Sequence, residues 1–295
     1  VGRWGGGGLG AAGDAPVRQA GYADGPPAER MRELAQSPAQ LYPDSDEGHA
    51  LILKDYQKII DEVSAGLNPW FGLKPASKVE VKRVPQFTEK TAPGAYYYPP
   101  PMDGSRPGVF FANLGDIAAT PKFTMHSLAY HEAVPGHHLQ IAISLELKGL
   151  PIFRSVVPFT AYSEGWALYA EQLAWEAGYE KDPLDNLGRL QAEMFRAVRL
   201  VVDTGMHAKR WTREQAIDWA VANSGRTRAA MTSEIDRYIS TPGQACVYKV
   251  GHTEINRLRD HASQALAAKY AAPAFTDTLV KTGAVPLSVL APASR

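Results

Sequence analysis

Apolar positions recur at helical spacing in the first third of the chain. Ala50, Ile52, Leu53, Tyr56, Ile59, Ile60 and Val63 predict a helix over 44–67, which Asn68-Pro69 ends. The period then shortens. Val79, Val81, Val84 and Phe87 alternate in part and predict a strand over 79–87. Residues 95–98 and 109–114 predict two more, separated by the turn-rich run from Pro99 to Ser105. From Thr124 the pattern is mostly helical, over about 124–148, 160–178, 184–208, 212–223, 227–239, 243–270 and 275–282. Thr212 caps one of these, with Gln215 at the capping-box position. The expected fold is mainly α with a small antiparallel β-sheet, an α+β class. Residues 1–40 are rich in Gly and Pro and read as a flexible lead-in. Residues 41–295 read as one domain of a helix, a small sheet and a helical bundle. The run Gly5-Gly6-Gly7-Gly8 has neither a preceding strand nor a Gly-Lys-Ser/Thr after it, so it is not a phosphate loop.

Charge changes this picture only by exclusion. The 31 basic and 31 acidic residues balance, which argues against a nucleic-acid partner or an electrostatically held membrane surface. The one cysteine, Cys246, excludes an internal disulfide. No apolar run approaches the length of a membrane span. There is no initiator Met and no signal-peptide pattern, and a removed signal or a truncated chain would look the same, so the compartment is left open: cytoplasmic, periplasmic or secreted.

The chemistry concentrates in Tyr130-His131-Glu132-Ala133-Val134-Pro135-Gly136-His137-His138-Leu139-Gln140, set among Leu128, Ala129, Ile141, Ala142 and Ile143. Two neutral imidazoles and a downstream carboxylate suit a zinc ion, and a Glu beside a ligand His can serve as general base. The spacing departs from His-Glu-x-x-His, where the imidazoles share a face at i and i+4. On an unbroken helix His137 is rotated about 240° from His131, and His138 lies nearly in phase but about 10.5 Å further along the axis. Pro135 opposes a regular helix through His131 and Gly136 tolerates unusual backbone angles. If the two bulge out, His137 returns to the i+4 place. The reading is His131 and His137 as metal ligands, His138 as the second choice or a supporting group, and Glu132 as base. The bland reading is a kinked core helix with satisfied histidines.

A third ligand is expected from the next helix. Glu164 follows Ser163, a plausible cap, in a setting of Trp166, Leu168, Tyr169 and Leu173. Glu171, two turns on, is read as a supporting group or a solvated one. In the C-terminal half Arg237, Tyr238, Gln244, Tyr248 and Lys249 form a polar group. Tyr248 could donate to a developing oxyanion, and Arg237 could bind a substrate carboxylate; an ordinary Arg237–Glu234 pair at i+3 is the plain alternative. His207, after Gly205, could steady an oxyanion or be a satisfied helix-end histidine.

The runs His-Glu-Ala-Val-Pro-Gly-His-His-Leu-Gln and Ser-Glu-Gly-Trp-Ala-Leu-Tyr-Ala-Glu, then Arg237-Tyr238-Ile239, Pro242-Gly243-Gln244-Ala245 and Tyr248-Lys249, resemble the bacterial "domain of unknown function 885" proteins, from about Leu41 to Leu290. The resemblance implies a zincin-like metallopeptidase architecture with a glutamate third ligand, and a chain corresponding to the C-terminal half of members about twice as long. The substrate would be a peptide, and a missing N-terminal half or a second subunit would complete the cleft. In zincins a small sheet lies above the active-site helix and an edge strand holds the substrate by backbone hydrogen bonds. The strand at 108–114 is the candidate edge, with Ala112 and Asn113 as substrate-binding positions and Lys249 and Arg237 as further ones. The expected activity is hydrolysis of short peptides at Zn2+. The rivals are a non-catalytic, metal-stabilised helical binding module, an inactive fragment of a longer peptidase, and an iron site of two His and one carboxylate.

Overall fold

In the computed structural model, which describes residues 14–22, 24–157 and 159–293, most helical periods of the sequence fall into place, while the helix expected over 124–148 is broken in two and the strand expected over 79–87 ends at Arg83. In chain order the principal elements are α1 (Pro27–Ala35), α2 (Asp46–Ala65), β1 (Val79–Arg83), β2 (Ala95–Tyr98), β3 (Gly108–Ala112), α3 (Met125–Glu132), α4 (His137–Glu146), α5 (Thr160–Glu176), α6 (Pro183–Lys209), α7 (Arg213–Ser224), α8 (Arg228–Ser240), α9 (Val247–Leu266) and α10 (Ala272–Thr282). The chain divides into two units. One gathers residues 1–42, 117–127 and 180–249; the other gathers 43–116, 128–179 and 250–295.

The second of these units carries the sheet. Ser45 accepts the Gly48 N–H at 3.2 Å and caps α2. The stripe Ile52, Tyr56, Ile59, Ile60 and Val63 is buried, each side chain contributing about 1.5–3 kcal/mol. Tyr56 meets Phe110 of β3 edge to face at 4.9 Å. The strand order is β1-β3-β2, with β1 parallel and β2 antiparallel to β3. The sheet is therefore mixed, not antiparallel as the sequence reading has it. Alternation along a strand reports which face is buried; it carries no information about which neighbour pairs with it or in which direction.

The same topology corrects the expected edge. β3 is the central strand, paired on both sides. Ala112 stands opposite Arg83 of β1 and Ala95 of β2, and its carbonyl accepts from Val84 at 2.9 Å. Asn113 donates its backbone N–H to Gly94 at 3.0 Å and aims its side-chain amide at the carbonyls of Glu89, Ala92 and Pro93, the nearest at 2.8 Å. Ala112 therefore lies inside the sheet and the Asn113 N–H is already taken, so the stretch is not the free edge the sequence reading expects.

The other unit is helical. Asp182 caps α6 and Pro183 occupies its first turn. Thr212 and Gln215 form the reciprocal capping box of α7, as the sequence predicts, and Gly225 ends that helix at φ 69°. Val198, Val202, Ile217, Ala220, Met231 and Ile235 close the core between α6, α7 and α8. Within the stretch read as a lead-in, residues 1–13 lie outside the described residues, whereas α1 buries Met31 and Leu34 against Val17, Phe123 and Leu187.

Candidate metal centre

The histidine stretch does not form one helix. α3 stops at Glu132, residues 133–136 turn, and α4 starts at His137. The ladder resumes over the interruption, with the His138 N–H reaching back to the Ala133 carbonyl at 3.0 Å. Pro135 has no N–H to keep a regular helix going. At Gly136 a Cβ would lie 2.0 Å from the His131 carbonyl oxygen and 2.2 Å from that of Tyr130, so only glycine fits. The break exposes carbonyls, and the Trp166 indole of α5 donates to that of Pro135 at 3.0 Å, with Gly136 at 3.3 Å.

This turn presents two imidazoles to one carboxylate. His131 Nε2 lies 3.4 Å and His137 Nε2 3.2 Å from the same oxygen, Oε2 of Glu164. The rings stand nearly perpendicular, 4.9 Å between centroids. One donor atom from each of the three residues lies within 4.8 Å of the others. Two imidazole nitrogens and a carboxylate oxygen are donor types that a zinc ion takes. Bonds of about 2.0–2.2 Å in a tetrahedron separate neighbouring ligand atoms by about 3.3–3.5 Å, close to the two distances from Glu164. The Glu164 oxygen is also buried without a hydrogen-bond partner, an orphan that a cation would satisfy. Burial alone would raise the Glu164 carboxyl; the facing His137 and His131 rings outweigh it and hold it well below the usual carboxylate range.

The surrounding groups aim these donors. Glu171 of α5 takes the other nitrogen of His131, Nδ1, at 2.7 Å, and both side chains are buried. That bond leaves Nε2 of His131 directed at the shared point. Ser163 Oγ lies 3.4 Å from Nδ1 of His137. The sequence reading places Ser163 as a helix cap; α5 instead starts at Thr160, because the amides of Tyr162 and Ser163 already bond the Phe159 carbonyl. Glu164 therefore stands in the second turn. Gly165 beside it packs on Gly251 of α9, where a Cβ would come within 2.5 Å of the Gly251 Cα. Glu132 ends α3 with its side chain mostly enclosed.

His138 faces elsewhere. Its Nδ1 accepts the Tyr97 hydroxyl at 2.9 Å and its Nε2 donates to the Ser77 carbonyl at 3.0 Å. Burial holds this ring neutral, pushed down to about 4. Tyr97, Ser77 and Trp166 escape a reading of the sequence, since the histidine run gives no signal of partners so distant in the chain.

The remaining candidates belong to the unit containing 180–249. His207, in the last turn of α6, donates to the Tyr238 carbonyl at 3.1 Å. Arg237 binds Glu234 at 3.0 Å, the i+3 pair, and Gln244 at 2.8 Å. Tyr248 receives the Gln244 amide at 3.2 Å and lies under the Arg199 guanidinium, 4.5 Å from centroid to Cζ. Lys249 is buried in an ion pair with Glu193.

Comparison with known proteins adds kinship without a reaction. The family model for "Bacterial protein of unknown function (DUF885)" matches residues 10–293. The crystal structure of a "putative lipoprotein" from Colwellia psychrerythraea is 46% identical, with a TM-score of 0.94, over 97% of this chain and 49% of that one. A second, a "putative lipoprotein of unknown function" from Shewanella oneidensis, is 21% identical, with a TM-score of 0.80, over 96% of this chain and 53% of that one, and shows the fold alone. The chain thus spans about half the length of these relatives. Among curated proteins none matches. No helix among the described residues is long and apolar enough to cross a membrane.

Proposed function

The chain belongs to the bacterial DUF885 family, and from that premise, with the His131–His137–Glu164 cluster in hand, we propose that it is a zinc-dependent hydrolase of peptide bonds acting on short peptides. The observation that carries the reading is the orphaned Glu164 oxygen facing two Nε2 atoms at 3.2 and 3.4 Å. His131, His137 and Glu164 would hold the ion. Zinc bound there supplies Lewis acidity that activates a water as nucleophile at neutral pH. Glu132 takes the proton of that water and passes it to the leaving amine. Glu171 keeps His131 in the tautomer that presents Nε2.

The architecture proposed is zincin-like, with its active-site helix interrupted at Pro135-Gly136. β1 and β2, each paired on one side only among the described residues, replace β3 as the strands a substrate could extend. The chain is read as the C-terminal half of a longer protein; it spans about half the length of its relatives. The same half-coverage favours the second reading, a metal-stabilised binding module without catalysis.

Metal analysis and cleavage of a mixed peptide library separate the two. Chelator-sensitive cleavage that falls by at least about 10²-fold in Glu132→Gln, with zinc retained, supports the hydrolase. Bound zinc without cleavage favours the module. A Glu132→Gln protein with wild-type turnover would falsify the assignment of the base, and a chain that binds no divalent metal removes both readings.

A further inference from the structure

In the helical unit the Arg226 guanidinium forms no ion pair among the described residues, and Glu234 is the carboxylate whose charge reaches it. Arg226, in the link between α7 and α8, places its Cζ 4.1 Å from the centroid of the Phe195 ring. Its Nε is enclosed and has no hydrogen-bond partner among the described residues. The nearby carboxylate, Glu234, is already engaged. Its Oε2 accepts from Arg199 at 2.8 Å, from Arg237 at 3.0 Å and from the Tyr238 hydroxyl at 2.5 Å. Arg199 also stacks on Phe195, with its Cζ 4.3 Å from the same centroid. Burial and the like charges of Arg196 and Arg199 push Arg226 down to about 10, which still leaves it protonated at neutral pH.

An enclosed cation among other cations is costly, and breaking no pair would follow from replacing it with an apolar side chain. Stacking on Phe195 needs no charge. The residue as a whole is half-buried, with its Nε enclosed. We propose that Arg226, with Arg199 on the same aromatic ring, forms a binding site for a small oxyanion, a carboxylate or phosphate group. The planar fork of a guanidinium matches two oxygens of either group, and the ring fixes the plane of the fork. A bound oxyanion would supply a paired counter-charge.

The test uses the full chain after chelation, so that a metal cannot bind the probe. Inorganic phosphate and acetate are titrated by calorimetry and thermal melting into the wild type, Arg226→Met and Arg226→Lys. Saturable binding of at least one probe, with a rise in Tm, is expected for the wild type; the stronger of the two identifies the chemistry as phosphate or carboxylate. Arg226→Met should bind at least tenfold more weakly and melt, free of ligand, no lower than the wild type. Arg226→Lys should keep the charge and lose the fork, with intermediate affinity. Equal affinity in wild type and Arg226→Met overturns the site, as does the absence of saturable binding in the wild type. An Arg226→Met protein that melts well below the wild type without ligand assigns the residue to stability and also overturns it.

Discussion

Two adjacent imidazoles of identical chemistry are set apart by what each nitrogen touches. His137 turns Nε2 to Glu164, whereas both nitrogens of His138 are engaged by Tyr97 and Ser77. Under the zinc proposal, His137→Ala should lose the metal almost completely. His138→Ala should keep it and instead leave the Ser77 carbonyl and the Tyr97 hydroxyl without their partner, at a cost of about 1–3 kcal/mol. Zinc stoichiometry after dialysis against a weak chelator, beside urea unfolding of both variants, gives the comparison. Full zinc in His137→Ala and none in His138→Ala would reverse the roles. Glu171→Ala should weaken zinc by about 10–100-fold, since it orients a ligand without being one.

At the scale of elements, the break between α3 and α4 depends on one glycine and one indole. A methyl group on Gly136 meets backbone carbonyls at 2.0 and 2.2 Å, and backbone cannot swing aside as the end of a long side chain can. Gly136→Ala should therefore lower stability by about 2–4 kcal/mol and, under the zinc proposal, weaken metal binding, because the turn that places His137 must open. Gly94→Ala is the matched control, having nothing within 4 Å of the added atom. Chemical denaturation and metal content of the two variants decide the point; an unchanged midpoint in Gly136→Ala would show that the turn has room. Pro135 and Gly136 are visible in the sequence as helix breakers. The support from Trp166, thirty residues on, is visible only once α5 is folded beside the turn.

For the whole chain, acid stability should follow the carboxylate shared by α6 and α8. Burial would raise Glu234, but Arg199 and Arg237 outweigh it and bring it down to about 2. A carboxyl depressed on folding stabilises fully above its unfolded value, near 4.5, and that contribution fades as the pH falls towards 2. Glu234→Gln should accordingly be less stable than the wild type at pH 7, with the gap closing between about pH 4.5 and 2. Urea midpoints across that range test it; a gap that stays constant to pH 2.5 would mean that Glu234 is not the group responsible.

The sequence alone determined the elements and the donor types. A helical period at Ile52, Tyr56, Ile59 and Ile60 is a local property, and so is the capping box at Thr212 and Gln215. Pro135 and Gly136 forbid a continuous helix for steric reasons that need no neighbour. What the tertiary structure decided is everything that depends on who lies opposite. The direction of β1, the central place of β3, the bond from Glu171 to His131 and the engagement of His138 by Tyr97 all join residues of different elements, from eleven to about forty apart in the chain. Arg226 carries no signal in the sequence; only packing on Phe195 shows its Nε enclosed and without a hydrogen-bond partner among the described residues. Periodicity records burial, which each segment carries in its own residues, whereas pairing and charge balance arise between segments and are written in none of them singly.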